Sequence, residues 1–269
     1  MIQEPSRRIG STDGTSIAVF SSGSGPPLIL VHGAAADHTT FRALGPRLAG
    51  WFTVHAIDRR GRGASEDRLP YSIEREFEDV AAVATTLADE AGRRADVLGH
   101  SYGGRCALGA ALLTDRIGRV ICYEGAPAPA GHRYEPGEIK ARLRTHLATG
   151  DLDGLLAEFM TGVVGMTNDE LASYRSDPVW SVRAGAAGTI PRELDAEADP
   201  LASLDRLGSV SQPVLQILGS ESRAIFRRAT DALDGRLADG RVVEIEGARH
   251  AAHHTHPDAM IEAIRDFLT

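Results

Sequence analysis

A mainly parallel, doubly wound α/β sheet is the fold this sequence predicts, and three observations predict it. Short apolar runs of strand type recur at 26–31, 52–57, 95–98, 119–123, 213–218 and 242–245. Between several of them lie apolar residues at helical spacing, clearest over 73–91, where Phe77, Val80, Ala81, Val83, Ala84 and Leu87 share one stripe. Strands alternating with helices bury both faces of a parallel sheet. The alternation breaks once, over 127–205, where helical patterns follow one another at 139–148, 152–160, 168–175 and 179–189. The core is therefore expected at 1–126 and 206–269, with an inserted helical block at 127–205.

Length and composition set bounds on function. A chain of 269 residues suits one α/β domain with an insertion. With 42% hydrophobic residues it can bury an ample core, and a net charge of −8 speaks against nucleic-acid binding and against attraction to anionic membranes. Cys106 and Cys122 fall in a predicted helix and a predicted strand and read as small buried hydrophobes, not as a disulfide framework. The amino-terminal residues lack an apolar signal core, and no run approaches the roughly 18 apolar residues of a membrane span. A cytoplasmic protein is expected, and a homodimer is left open.

The elements follow in order. A strand at 16–20 comes after the turn Thr12-Asp13-Gly14. The buried-type strand at 26–31 runs into His32-Gly33-Ala34-Ala35-Ala36, small residues that let backbone approach a ligand closely. The strand at 52–57 runs into Asp58-Arg59-Arg60-Gly61-Arg62-Gly63-Ala64-Ser65, where Asp58 is expected to fix the turn. The next strand ends in Gly99-His100-Ser101-Tyr102-Gly103, followed by the small residues of a helix. A serine between glycines on a strand-to-helix turn is pushed out of the fold, and helix-end N–H groups point at whatever it attacks.

A serine alone is a weak nucleophile near neutral pH, so it needs a base and donors for the oxyanion. The base candidate is His250, placed after the strand at 242–245 and the turn at Gly247, and before a helix that opens at Pro257. His253, His254 and His256 crowd the same region and are expected to be surface or supporting residues. A metal site is not expected, because neither an H-E-x-x-H arrangement nor a nearby cysteine pair is present. The expected oxyanion donors are the N–H groups of Ala34 and Tyr102, while His32 is expected to order its loop.

Taken together, His32-Gly33, the Asp58 to Ser65 turn, Gly99 to Gly104 and Gly247 to His250 resemble the α/β-hydrolase superfamily. The resemblance implies that the inserted block is a helical cap over the nucleophile, with Phe159, Met160 and Trp180 as candidate substrate contacts. It also implies a third member, an acid in a Gly-x-x-Asp pattern after a late strand. Here that strand leads into Gly219-Ser220-Glu221-Ser222, so Ser222 stands where the aspartate is expected. Glu221 is one substitute. Glu124, at the end of the apolar run 119–123, is the favoured one, since a carboxylate there is costly to bury unless paired and hydrogen-bonded. In this the chain resembles haloalkane dehalogenases and zearalenone-lactone hydrolases.

The resulting expectation is a cofactor-independent serine hydrolase, with Ser101, His250 and Glu124 as its catalytic residues. Its partner would be a small to medium, fairly apolar ester or lactone, cleaved through an acyl-serine intermediate. Carbon–carbon bond hydrolases, perhydrolases and acyltransferases use the same constellation. A ligand receptor that keeps the fold without turnover is the alternative of another class, motivated by the missing aspartate at Ser222.

Overall fold

The computed structural model describes residues 4–135 and 137–269. Its strands are β1 (Arg7–Gly10), β2 (Ser16–Ser22), β3 (Pro27–Val31), β4 (Thr53–Ile57), β5 (Ala95–His100), β6 (Ile117–Tyr123), β7 (Val214–Gly219) and β8 (Gly240–Ile245). Among the described residues these form one eight-stranded sheet in the order β1-β2-β4-β3-β5-β6-β7-β8. β2 pairs antiparallel with both β1 and β4, and every other neighbour pair is parallel. The mainly parallel, doubly wound sheet expected from sequence is thus present.

The helices are α1 (Gly45–Leu48), α2 (Ile73–Ala91), α3 (Tyr102–Ala111), α4 (Ile139–Thr149), α5 (Leu152–Phe159), α6 (Asn168–Ser176), α7 (Val179–Ala186), α8 (Ile190–Ala196), α9 (Leu204–Leu207), α10 (Ala224–Asp234), α11 (Ala252–Thr255) and α12 (Pro257–Leu268). Local chemistry sets the bounds of α2. Ser72 accepts from Arg75 N–H at its start, and Gly92 ends it in a left-handed conformation that costs glycine nothing.

Side chains alternate across each strand, and in the central strands β3, β5 and β7 both faces are dry. Ile29, Val31, Val97 and Val120 pack with α2 and α3, whereas Leu28, Leu30, Leu98 and Ile121 pack with the α12 residues Met260, Ile261 and Ile264. This two-sided burial is why the central strands read as continuous apolar runs.

Parallel pairing also brings the carboxyl ends of the central strands to one edge. Val31 pairs with Gly99, His100 with Tyr123, Tyr123 with Ile217 and Gly219 with Ile245. The segments that follow, at 32–36, 101, 124, 220–222 and 246–250, therefore meet in the region where open α/β sheets bind their ligands.

Between β6 and β7 the described chain is helices and loops, α4 to α9. α5 packs on α4 and α7 and then widens into a single π-helical turn, Met160–Val164, closed by Met166 N–H donating to Met160 O at 2.9 Å. Such turns re-aim side chains and recur at functional sites. Arg223, at the start of α10, clamps this one to the core by donating to the carbonyls of Tyr134, Gly162 and Val163.

Candidate active site

Ser101 sits between β5 and α3 with φ 53° and ψ −123°, a conformation that costs a non-glycine residue about 1–3 kcal/mol. The neighbouring glycines permit it. A Cβ on Gly99 would collide with the Gly103 backbone, and one on Gly103 would collide with the carbonyls of Val31 and His32. Ser101 N–H donates to Tyr123 O at 2.8 Å, which ties the turn to the end of β6.

Glu124 follows β6 directly and also has a left-handed backbone, φ 46°. Its carboxylate is buried and accepts three hydrogen bonds. Gly219 N–H donates to Oε1 at 2.8 Å, Ser222 Oγ donates to Oε1 at 2.5 Å, and His250 Nδ1 donates to Oε2 at 2.5 Å. Because a carboxylate only accepts, the imidazole proton lies on Nδ1 and the Nε2 lone pair is left free. Glu221, the other candidate, is exposed, and its N–H is used in the loop by Ala248 O.

His250 is held from several sides. His100 Nε2 donates to the His250 carbonyl at 3.0 Å, Tyr123 Oη donates to Arg249 O at 2.7 Å, and Ala252 N–H donates to Tyr123 Oη at 2.8 Å. Phe226 stacks on the imidazole with centroids 4.5 Å apart. Of the other histidines nearby, His253 is buried and packs against His100 and His254, so it supports the site from within the core. Burial pushes the imidazoles of His100 and His253 well below their usual range.

The loop after β3 is ordered by its own histidine. Arg59 N–H donates to His32 Nε2 at 3.0 Å, so His32 carries its proton on Nδ1 and donates it to Gly33 O at 2.8 Å. Asp58 fixes the next turn by accepting from His38 N–H and Ala64 N–H, both at 2.8 Å. Among the described residues the Ala34 N–H has no partner. The Tyr102 N–H is one of the first-turn donors that a helix leaves unpaired. Both residues line the cavity that Ser101 faces.

That cavity has two lobes, and Ala34, Ser101, Phe159, Val164 and His250 line both. The outer lobe, about 460 Å³, is walled by Met160, Met166, Tyr174 and His254 and reaches the surface at Arg42, Glu170 and Ser173. The inner lobe, about 30 Å³, is bounded only by buried and half-buried residues, including Tyr102, Val163, Ile190, Leu194 and Phe226. Phe159 lines both lobes and Met160 the outer one, whereas Trp180, expected beside them, lines neither. Its indole N–H donates to Asp153 Oδ1 at 2.5 Å and its ring packs edge-on against Tyr174, so it holds the insert together instead of lining a lobe. An amphipathic side chain with a partner for its N–H packs as well between helices as against a ligand.

Sequence reasoning missed the charged floor of the inner lobe. Glu193 and Glu197 of the α8 region and Arg105 of α3 all border it. Glu193 Oε1 accepts from Arg59 Nη2 and from Arg62 Nη2, and Arg105 donates to Glu197 at 2.8 Å. Arg59 also forms a two-point pair with Glu76 and lies over the Tyr102 ring, 4.6 Å from its centroid. Burial pushes the Glu197 carboxyl up, against the pull of Arg105. The run Arg59-Arg60-Gly61-Arg62 was the available signal, since three arginines at the end of a buried strand require carboxylate partners.

Among the described residues, no cluster of three or more His, Cys, Asp and Glu is arranged to hold a metal ion, and no helix is long and apolar enough to cross a membrane.

Comparison with known proteins gives the same framework. The profile of the alpha/beta hydrolase family matches residues 28–263. Pimeloyl-[acyl-carrier protein] methyl ester esterase of Neisseria meningitidis is 30% identical over 261 residues, 89% of this chain and 75% of that protein. The crystal structure of an alpha/beta hydrolase from Sphaerobacter thermophilus superimposes with a TM-score of 0.84 at 35% identity, covering 98% of this chain and 100% of the other. A thermophilic esterase from Thermogutta terrifontis superimposes with a TM-score of 0.74 at 25% identity, covering 97% of each chain.

Proposed function

The chain belongs to the α/β-hydrolase family, and from that premise we propose that it hydrolyses carboxylic esters or lactones of small to medium molecules through an acyl-serine intermediate. The observation that carries the reading is the Nδ1 hydrogen bond from His250 to Glu124, in a histidine that lines the same cavity as a serine held on a strained turn. It leaves the free Nε2 lone pair of His250 on the ring edge opposite Glu124, in the cavity that Ser101 also lines.

The steps follow from those groups. His250 Nε2 takes the Ser101 proton as Oγ attacks the ester carbonyl. The N–H groups of Ala34 and Tyr102 bind the oxygen that becomes negative; such a donor is worth about a hundred- to a thousandfold in turnover. The imidazolium, stabilised by Glu124, then gives its proton to the departing alkoxide. Water enters and attacks the acyl carbon as it loses a proton to the same nitrogen; the bond to Ser101 Oγ then breaks, the imidazolium returns that proton to Oγ, and the acid leaves. The helical insert acts as a cap, with Phe159, Met160 and Val164 displacing water from around the ester, which strengthens the hydrogen bonds to the oxyanion.

The esterase names of relatives support ester cleavage among the reactions open to this constellation. The hydrogen bond from Ser222 to Glu124 argues against a non-catalytic receptor, because it supplies a reason for the missing aspartate. The test is turnover of p-nitrophenyl acetate and butyrate, which is expected to vanish in Ser101→Ala. Equal rates for the native protein and that variant on every acyl probe overturn the reading.

A further inference from the structure

Arg59 carries its charge in the interior. Its side chain is buried, and so are the carboxylates of Glu76 and Glu193 that face it. Nε and Nη2 donate to Glu76 at 3.1 and 2.7 Å, and Nη2 also donates to Glu193. The remaining nitrogen, Nη1, donates to the Gly33 carbonyl at 3.1 Å. A buried ion pair adds little stability over a well-packed apolar replacement, so the pairing by itself does not account for a guanidinium here. The bond to Gly33 does.

Gly33 O and Ala34 N–H belong to one peptide unit, and in a trans peptide they point in opposite directions. Among the described residues the only cis bond is Leu69-Pro70, so this peptide is trans. Its oxygen accepts twice, from Arg59 Nη1 and from His32 Nδ1 at 2.8 Å. Arg59 and His32 line neither lobe, whereas Ala34 lines both, so the oxygen is anchored on the protein side and the N–H is turned the other way. A Cβ on Gly33 would lie 3.1 Å from Ser101 Cβ, which sets this peptide against the nucleophile. Ala35, next in the chain, has φ 48°, so local preference does not hold the loop in this orientation. The guanidinium also lies 4.6 Å from the centroid of the Tyr102 ring, beside the second donor. Tyr71 Oη donates to Glu76 at 3.2 Å and so accepts from Tyr102 Oη at 2.9 Å, which ties that ring to the same carboxylate.

Resting on the serine-hydrolase reading, we propose that Arg59 is a positioning residue of the oxyanion hole, holding the Gly33–Ala34 peptide by its oxygen so that the Ala34 N–H meets the oxyanion. Its charge adds to the effect, because a cationic donor on a carbonyl polarises the amide and strengthens the N–H at the other end. Glu193 belongs to α8, so the helical insert takes part in setting the donor through its pair with Arg59.

The test compares p-nitrophenyl acetate with its thiono analogue, in which C=S replaces C=O and the leaving group is the same. Sulfur is larger and a weak hydrogen-bond acceptor, so aligned oxyanion donors favour the oxygen ester. After division by the rates with hydroxide, kcat/KM in the native protein is expected to favour oxygen by at least about a hundredfold. Arg59→Met is expected to lower that preference by about tenfold. Both esters are read on the same molecules, so a smaller folded fraction lowers both rates and leaves their ratio unmoved. Where Arg59→Met does not fold, Arg59→Lys carries the test: it keeps a cation between the carboxylates but has one nitrogen where three are used, and the preference is expected to fall there too. Arg62→Met is the control, since Arg62 shares Glu193 and makes no bond to Gly33, and it is expected to leave the ratio unchanged. An unchanged ratio in the Arg59 variants, or an equal fall in Arg62→Met, overturns the proposal and leaves the serine-hydrolase reading intact. A native preference near one, with Ser101-dependent cleavage, overturns the donor assignment and the proposal with it. No Ser101-dependent cleavage of either ester overturns the underlying reading instead.

Discussion

Ser222 donates its hydroxyl to Glu124 Oε1 at 2.5 Å, so the residue at the position of the expected acid touches the carboxylate that pairs with His250. The ends of β6 and β7 are neighbours in the sheet, so the residues that follow them, Glu124 and Ser222, come within hydrogen-bond distance. With Glu124 extending from β6, a second carboxylate at 222 would meet it at hydrogen-bond distance and repel it. A hydroxyl there donates instead.

Ser222→Ala is expected to lower kcat/KM on p-nitrophenyl acetate by about tenfold, since it removes one of three donors to the carboxylate and leaves the other two. Ser222→Thr keeps the hydroxyl and is expected to retain most of the activity. Equal loss in both variants would point to crowding and not to the hydrogen bond.

Glu124→Gln is expected to cost roughly a thousand- to ten-thousandfold in kcat with a native circular-dichroism spectrum, because an amide can face Nδ1 with its NH₂ group and so hold the imidazole in the wrong tautomer. Glu221→Gln is expected to leave kcat within about twofold, as that side chain is exposed and lies outside both lobes. The opposite pattern would return the acid to the end of β7.

Acid is expected to destabilise the fold. Burial lowers the imidazoles of His32, His55, His100, His253 and His254, with His55 and His254 down to about 4 from 6.5. A depressed folded-state value means the unfolded chain takes up protons first, so stability is full above about 6.5 and drains as pH falls towards 4 and below. A fully buried group contributes at most about 1.4 kcal/mol per pH unit over that window, and the partly solvated His55 and His254 contribute less. Asp79 and Asp96, pushed up to about 6 by burial, and Glu197, pushed up likewise, act in the opposite direction as pH falls from about 6, but they are three against five. Urea midpoints measured at pH 7.5 and 5.0 should fall at the lower pH. His55→Asn should reduce the difference, and a midpoint independent of pH would contradict this account.

Much of this was legible in the sequence because strong periodicity and turn chemistry leave little freedom. The helix at 73–91 has both caps and one apolar stripe, and its bounds match α2. The turn at Ser101 is fixed by glycines whose Cβ atoms would collide with backbone. Less legible was β1, a four-residue antiparallel edge whose pattern Arg7-Arg8-Ile9-Gly10 has one buried residue and no period to detect. The π-helical turn at Met160–Val164 has no signature in residue type, and it brings Met160, Val163 and Val164 to the lobes. Glu193 and Glu197 sit in a stretch as polar as any solvated helix face, and only their three-dimensional pairing with Arg59, Arg62 and Arg105 removes them from water.

In the proposed hydrolysis the inner lobe, bounded only by buried and half-buried residues, also bears on the order of events. Ala34, Ser101, Phe159, Val164 and His250 join it to the outer lobe, so a product held there has a path past the nucleophile and the base, through the space that the alcohol vacates. Alcohol would then depart first and acid last, and an accumulating alcohol would occupy the doorway that the incoming water needs.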